Sequence, residues 1–141
     1  RVIADLDFAF THARGPWLPK ECEEMDNVKS ALQVVSRTEG FQLGGNGMPH
    51  KSQNGTAADC WAAFARHTEG QPLANAAHEA MKARFSTWVW PMGCIEDALN
   101  IVEKGEAAII AQEDNIRSWQ PETIDQEYPV FRSTLDWMRA I

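Results

Sequence analysis

Apolar residues recur along most of the chain at the three- and four-residue spacing of an amphipathic helix. The clearest case lies between Lys20 and Glu39, where glutamates stand near the start and Gly40 follows the end, as is typical of helix termini. The apolar stripe of this segment consists of Met25, Val28, Leu32 and Val35. The pattern therefore predicts a helix over residues 20–39 that buries one face.

A second pair of helices is predicted after residue 55. Thr56 and Asp59 have the spacing of a capping box, and Gly70 marks the end of that helix. Pro72 fits the first turn of the next helix, which the pattern extends to Pro91. Its apolar stripe is Leu73, Ala77, Met81, Phe85 and Trp88. Because few residues separate the two helices, we expect them to pack as an antiparallel hairpin.

The remaining periodic segments are shorter, and two of them are ambiguous. Residues 94–104, 121–129 and 131–138 each predict a short helix. Residues 2–13 fit a helix but also alternate like a strand, and residues 107–111 fit either a continuing helix or a short strand. These elements predict an all-α fold, a compact bundle of about six helices, with minor β structure near 107–111 as the alternative.

Length and composition limit the organisation of the chain. With 141 residues, 44% of them hydrophobic, it is long enough for one core. We therefore expect a single helical domain over residues 1–141. One long glycine-rich loop, residues 41–55, interrupts the helical pattern. No apolar run reaches the ~18 residues of a membrane span, so we expect a soluble, cytoplasmic protein without membrane contact. The possibility of a removed signal peptide stays open, because the chain starts at Arg1.

Negative charge is concentrated in the last third of the chain. The net charge is -7, and the residues after Cys94 contain ten acidic side chains against four basic ones, a balance of -6. This composition argues against nucleic acid as a partner and favours a basic protein or self-assembly. A solvated acidic face is the plainer alternative. The acidic residues expected at an interface are Asp114, Glu122, Asp125 and Glu127.

Two tryptophans add to the expected interface. Trp17 follows Gly-Pro in a break between helices, and Trp90 precedes Pro91 outside the helical stripe. Tryptophan is enriched at binding hot spots when it is exposed. We therefore expect Trp17 and Trp90 to be interface anchors.

Metal, cofactor and cysteine chemistry have weak support in the sequence. The three cysteines are far apart, and no histidine has the spacing of a metal pair. His78 begins like a zinc-protease motif, but Lys82 stands where its second histidine belongs, so a surface histidine next to Glu79 is the expectation. Cys60 precedes Trp61 as in papain-like proteases, yet no histidine follows His78. We expect no cofactor and no catalytic residue.

The glycine-rich loop contains the remaining candidate chemistry. The segment GGNGMPHKSQN, residues 44–54, resembles the signature of the fumarase, aspartase and adenylosuccinate lyase superfamily when aligned on Met48, Pro49 and Lys51. That signature reads roughly G-S-S-x-M-P-x-K-x-N. The resemblance implies a mobile loop over an active site between helices, in which a serine acts as base and the Lys and Asn hold a dicarboxylate. Here Asn46 occupies the position of the base, which an amide cannot replace, and Gln53 replaces the Asn.

Two functions follow from these observations. The first is a small acidic interaction, assembly or regulatory protein without catalytic activity that binds through its C-terminal surface. The alternative is an anion-binding enzyme, or a relic of the lyase arrangement, with the loop as substrate loop. The glycines there would expose backbone N–H groups to an anionic small molecule. The expected ligand contacts are Asn46, His50, Lys51 and Gln53.

Overall fold

The computed structural model describes residues 1–12, 22–101 and 106–140; within 106–118 it leaves out the side chains of residues 106, 108, 109, 111, 112 and 114. The chain is mainly α-helical, which confirms the predicted class. It divides into two compact units, Arg1–Cys94 and Ile95–Ile141. We describe each unit by itself, and the single domain over residues 1–141 stays a prediction.

The first unit combines four helices with two short strands in its described residues. The elements are β1 (Val2–Ala4), α1 (Leu6–Thr11), α2 (Glu23–Glu39), α3 (Ala57–Arg66), α4 (Gln71–Phe85) and β2 (Thr87–Val89). The strands pair in parallel, with Val2 opposite Thr87 and Ala4 opposite Val89. Leu6 N–H donates to the Gly93 carbonyl oxygen at 2.7 Å, so the start and the end of this unit are joined beyond the strands as well.

The core of the first unit is formed by one face of each helix. All four residues of the predicted α2 stripe are buried, and this prediction is confirmed. The helix ends at Gly40, whose φ of 77° is the left-handed conformation that glycine adopts readily. The rings of Phe10 and Trp61 stack at 5.0 Å, and Phe64 meets both rings edge-on. The helices therefore interlock around aromatic side chains.

The predicted start of α3 is confirmed in detail. The Thr56 hydroxyl accepts a hydrogen bond from the Asp59 backbone N–H at 3.2 Å, and an Asp59 carboxylate oxygen accepts from the Thr56 backbone N–H at 2.8 Å. This is the reciprocal capping box that the sequence indicates. The predicted end at Gly70 is wrong, because α3 ends at Arg66, four residues earlier. Gly70 is instead buried against Phe64 and leads directly into α4.

The predicted extent of α4 is wrong at its C-terminal end. The helix ends at Phe85, because Ser86 adopts a left-handed φ of 48° and reverses the chain. Residues 87–89 then form β2, so Trp88 belongs to a strand and not to the helical stripe. The run Thr-Trp-Val-Trp has the β-branched and aromatic character of a buried strand, but Trp88 lies three residues after Phe85 and so also fits the helical stripe. A helix and a strand are the two alternatives for residues 2–13, and the structure contains both in the described part, a strand at Val2–Ala4 and a helix at Leu6–Thr11. Residue 13 lies outside the described residues.

Helices are the only regular elements among the described residues of the second unit. Its elements are α5 (Ile95–Ala98), α6 (Glu106–Ser118), α7 (Pro121–Glu127) and α8 (Pro129–Arg139). The alternative of a short strand at 107–111 is wrong, because these residues lie inside α6. Pro121 opens α7 as predicted, and Pro129 opens α8, since proline is well suited to a first helical turn.

Side chains of the second unit are less buried than those of the first. Among the side chains described between residues 106 and 140, only Thr134 is buried. The Trp119 and Tyr128 rings stack at 4.2 Å, and Phe131 meets Trp119 edge-on, yet all three stay half-buried. Arg132 joins α8 to α7 through an ion pair with Asp125 and forms a second ion pair with Asp136 within α8. Aromatic and ionic contacts thus connect these helices at a partly open surface.

Candidate functional site

The segment between α2 and α3 folds into two tight turns. Leu43 and Pro49 form an antiparallel bridge, and Ser52 and Gly55 form a second one. In the first turn Gly44 N–H donates to the Met48 carbonyl oxygen at 2.8 Å. The backbone of this segment thus bonds largely to itself, and the segment is not a structureless connection.

Two side chains attach these turns to the rest of the first unit. Met48 is buried in the core with 6% of its surface exposed. The Asn54 amide donates to the Gly40 carbonyl oxygen at the C-terminus of α2 at 2.7 Å. The Met of the lyase-like signature therefore has a packing role in this chain.

The four candidate ligand residues of this segment are all exposed. Asn46 Oδ1 accepts from the Met48 backbone N–H at 3.0 Å, so the residue at the position of the lyase base closes a turn. His50 Nδ1–H donates to the Lys51 carbonyl oxygen at 2.8 Å, which leaves Nε2 at the surface. A Cβ at Gly44 would lie 3.1 Å from Asn46 Oδ1 and 3.6 Å from His50 Cδ2. The Asn46 and His50 side chains thus both lie beside Gly44.

Lys51 and Gln53 do not join Asn46 and His50 beside Gly44. In the part of the chain that the structure describes, neither side chain makes a hydrogen bond or an ion pair. A different lysine approaches the turn, because the Lys29 stem lies 3.4 Å from a Cβ built at Gly47. The sequence could not indicate this approach, since Lys29 lies on α2.

The acidic candidates lie on and around α7. Glu122, Asp125 and Glu127 are exposed. Asp125 holds Arg132 at 3.1 Å, and hydrogen bonding to Asp136, with the nearby Asp125 charge, raises the pKa of the Arg132 guanidinium. The backbone of Asp114 lies in α6, whereas its side chain is outside the described residues. This surface already binds one guanidinium of its own chain.

The two tryptophan candidates have different outcomes. Trp17 lies outside the described residues. Trp90 is buried with 2% of its surface exposed, and its ring meets Trp88 edge-on at 6.4 Å. This burial does not fit the prediction that Trp90 is an exposed interface anchor. Trp90 follows β2 directly, and its backbone N–H donates to the Ala4 carbonyl oxygen of β1. The pairing of β1 with β2 therefore continues to Trp90 and places this residue in the interior.

Cys60, the nucleophile candidate, and His78, the histidine of the zinc-protease-like motif, are both buried. Burial raises the pKa of the Cys60 thiol to about 11, which opposes thiolate formation near neutral pH. His78 is buried, not at the surface as expected, and its Nδ1–H donates to the Val89 carbonyl oxygen at 2.7 Å. Its Nε2 lies 3.7 Å from a Glu79 carboxylate oxygen. His78 therefore fastens α4 to β2.

A cleft that the sequence did not indicate lies where α2 and α3 end. It has a volume of about 200 Å³ and is lined by Glu39, Ala63, Arg66 and His67. His67 Nδ1 accepts from the Glu69 backbone N–H at 3.3 Å, so the neutral ring has its proton on Nε2. Both termini present carbonyl oxygens, an arrangement that disfavours anions. No sequence motif marks these positions, because the cleft forms only when two helix ends meet.

Metal-binding clusters and membrane-spanning helices are both absent from the described residues. Those residues contain no group of three or more His, Cys, Asp or Glu side chains that could hold a metal ion. None of the helices described is both long and apolar enough to cross a membrane.

Comparison with known protein families, curated proteins and solved structures found no match to this chain.

Proposed function

We propose that this chain is an interaction or regulatory protein whose acidic C-terminal surface binds a basic protein partner. The observation that carries the proposal is the charge of Ile95–Ile141, ten acidic side chains against four basic ones, on a unit with exposed carboxylates. Opposite charge on a partner would speed its approach and favour its orientation.

The ion pairs of α7 and α8 support this recognition chemistry. Asp125 and Asp136 hold the Arg132 guanidinium, which is the kind of group that a basic partner presents. Glu122 and Glu127 are exposed, and among the described residues they form no ion pair. These two carboxylates can therefore meet a partner without first breaking an internal bridge.

Several predictions from the sequence belong to this proposal. They are the compact bundle of about six helices, the cytoplasmic location, the absence of catalysis, and the contribution of Trp17 and Asp114 to the interface. Self-assembly is the other form of the same function, and the net negative charge argues against nucleic acid as a partner.

The test measures binding of a labelled lysine-rich peptide by fluorescence anisotropy at increasing salt. We expect binding that weakens as salt rises, because exposed charges are screened. The variant Glu122→Gln/Glu127→Gln should bind about two- to fivefold more weakly, since each of the two exposed ion pairs that it removes contributes ~0.2–0.5 kcal/mol.

A matched control removes the same charge from the first unit. The variant Glu23→Gln/Glu69→Gln changes two exposed carboxylates of Arg1–Cys94 and should bind like the parent protein. If both variants lost the same affinity for the peptide, net charge alone would explain binding, and the acidic surface would not be the binding site. If the parent protein did not bind the peptide at any salt concentration, the proposal would be refuted.

A second candidate, anion binding at residues 44–55, has one observation in its favour. Asn46 and His50 are exposed and both lie beside the half-buried Gly44, so an amide and an imidazole can reach one small ligand. Titration with phosphate and dicarboxylates, followed by tryptophan fluorescence, should then show a response that His50→Ala and Lys51→Ala weaken. No response in the parent protein would eliminate this candidate, including the lyase relic.

A further inference from the structure

The last helix has a wide apolar face. At about 100° per residue, one side of α8 presents only apolar residues and one threonine, while Arg132, Asp136 and Arg139 occupy the other side. The residues of this α8 face are Val130, Phe131, Thr134, Leu135, Trp137 and Met138. The two sides are therefore clearly separated by polarity.

The α8 face is covered at its centre and open toward its C-terminal end. Thr134 is 1% exposed, whereas Met138, one helical turn later on the same face, is 37% exposed. Leu135 and Trp137 beside it are half-buried. Apolar side chains left accessible at one end of a helix can bury further area against another surface.

The charge around the α8 face decides which surface can cover it. A second copy of the chain would bring another net charge of -7 to this contact, and the repulsion would oppose association. A basic partner would instead pair with the carboxylates of α7 while its apolar residues meet α8. Arg132, held between Asp125 and Asp136 on the polar side of α8, shows that carboxylates of α7 and α8 accept a guanidinium.

We infer that the α8 face binds a basic amphipathic helix of the partner, with its apolar residues on Leu135, Trp137 and Met138 and its Lys or Arg residues toward the carboxylates of α7. This inference rests on the proposed function and adds the class of partner. Apolar contact supplies affinity and charge supplies orientation, as in other complexes of a helix with an apolar surface.

The test compares two labelled peptides of identical composition with the full chain. One peptide places leucines on one helical face and lysines on the other, and the second has the same residues in scrambled order. We expect the amphipathic peptide to bind at least about fivefold more tightly, because only this peptide can bury a continuous apolar stripe. The scrambled peptide reports charge alone, and so it tests the proposed function separately.

A pair of variants locates the contact. Met138→Ser should weaken the amphipathic peptide by roughly three- to tenfold and leave the scrambled peptide unchanged. Phe85→Ser is the matched control, because Phe85 is also 37% exposed but lies in the first unit. The indole N–H resonance of Trp137 should shift when the amphipathic peptide is added to the parent protein, which provides a measurement that needs no substitution.

Each contrary result has a distinct meaning. Equal affinity for both peptides, an unaffected Met138→Ser variant, or an unmoved Trp137 resonance would overturn the inference while the proposed function stands. No binding of either peptide would overturn both. Sedimentation of the parent protein as a dimer that Met138→Ser dissociates would identify a second copy as the occupant and would also overturn the inference.

Discussion

Single glycines in the first unit have very different surroundings. A Cβ at Gly70 would lie 2.1 Å from the Phe64 carbonyl oxygen, which is far inside van der Waals contact with backbone. The φ of Gly70 is -85°, so its backbone is open to any residue and the constraint is purely one of space. At Gly45, by contrast, no atom lies within 4 Å of such a Cβ. The need for glycine is therefore steric at one position and absent at the other.

Gly70→Ala is expected to lower the free energy of unfolding by about 1–3 kcal/mol, the cost of forcing an extra methyl group into packed surroundings. Urea denaturation followed by circular dichroism measures this change. Gly45→Ala serves as the control and should stay within ~0.5 kcal/mol of the parent protein. Equal midpoints for Gly70→Ala and the parent would contradict the close approach of residue 70 to Phe64.

At the scale of elements, the predictable features are those fixed by neighbours in sequence. The capping box at Thr56 and the α2 stripe both follow local spacing, and the structure confirms them. The pairing of β1 with β2 escaped prediction, because no short window contains both strands. Trp88 shows the same limit. Its position three residues after Phe85 fitted a helix, whereas the strand partner that decides its conformation lies near the start of the given sequence.

The capping box predicts a measurable share of the stability of α3. Thr56→Ala removes the hydroxyl that accepts from the Asp59 N–H and should lower the free energy of unfolding by about 1 kcal/mol. Thr56→Ser keeps the acceptor and should lose much less. The two variants are compared by their thermal midpoints, and a Thr56→Ser loss as large as that of Thr56→Ala would assign the effect to the methyl group.

At the scale of the whole molecule, the candidate site was predictable in charge but not in shape. The excess of acidic residues after Cys94 is visible in the sequence, and Glu122, Asp125 and Glu127 are exposed as an interface requires. The burial of Trp90 and the cleft at Arg66 and His67 depend on contacts between distant segments, so neither could be foreseen. The two compact units likewise emerge only from the contacts within each.

The two units should differ in local stability. The helices α2 and α3 bury apolar side chains completely, whereas Thr134 alone is buried among the side chains described in 106–140. Because local opening is easier where little apolar surface is buried, backbone amides of α6 to α8 should exchange hydrogen faster than those of α2 and α3. Hydrogen exchange followed by mass spectrometry measures this difference, and similar protection in both sets of helices would contradict it.

The pairing of β1 with β2 also sets an order on biosynthesis. The ribosome releases Val2 long before its partner Thr87, so β1 has no strand to pair with until almost all of Arg1–Cys94 has emerged. Helices α2, α3 and α4 can form during that interval from contacts between near neighbours in sequence. The hydrogen bond from Leu6 to Gly93 comes later still. Strand β1, which emerges before the other elements of this unit, is thus among the last of them to reach its final position.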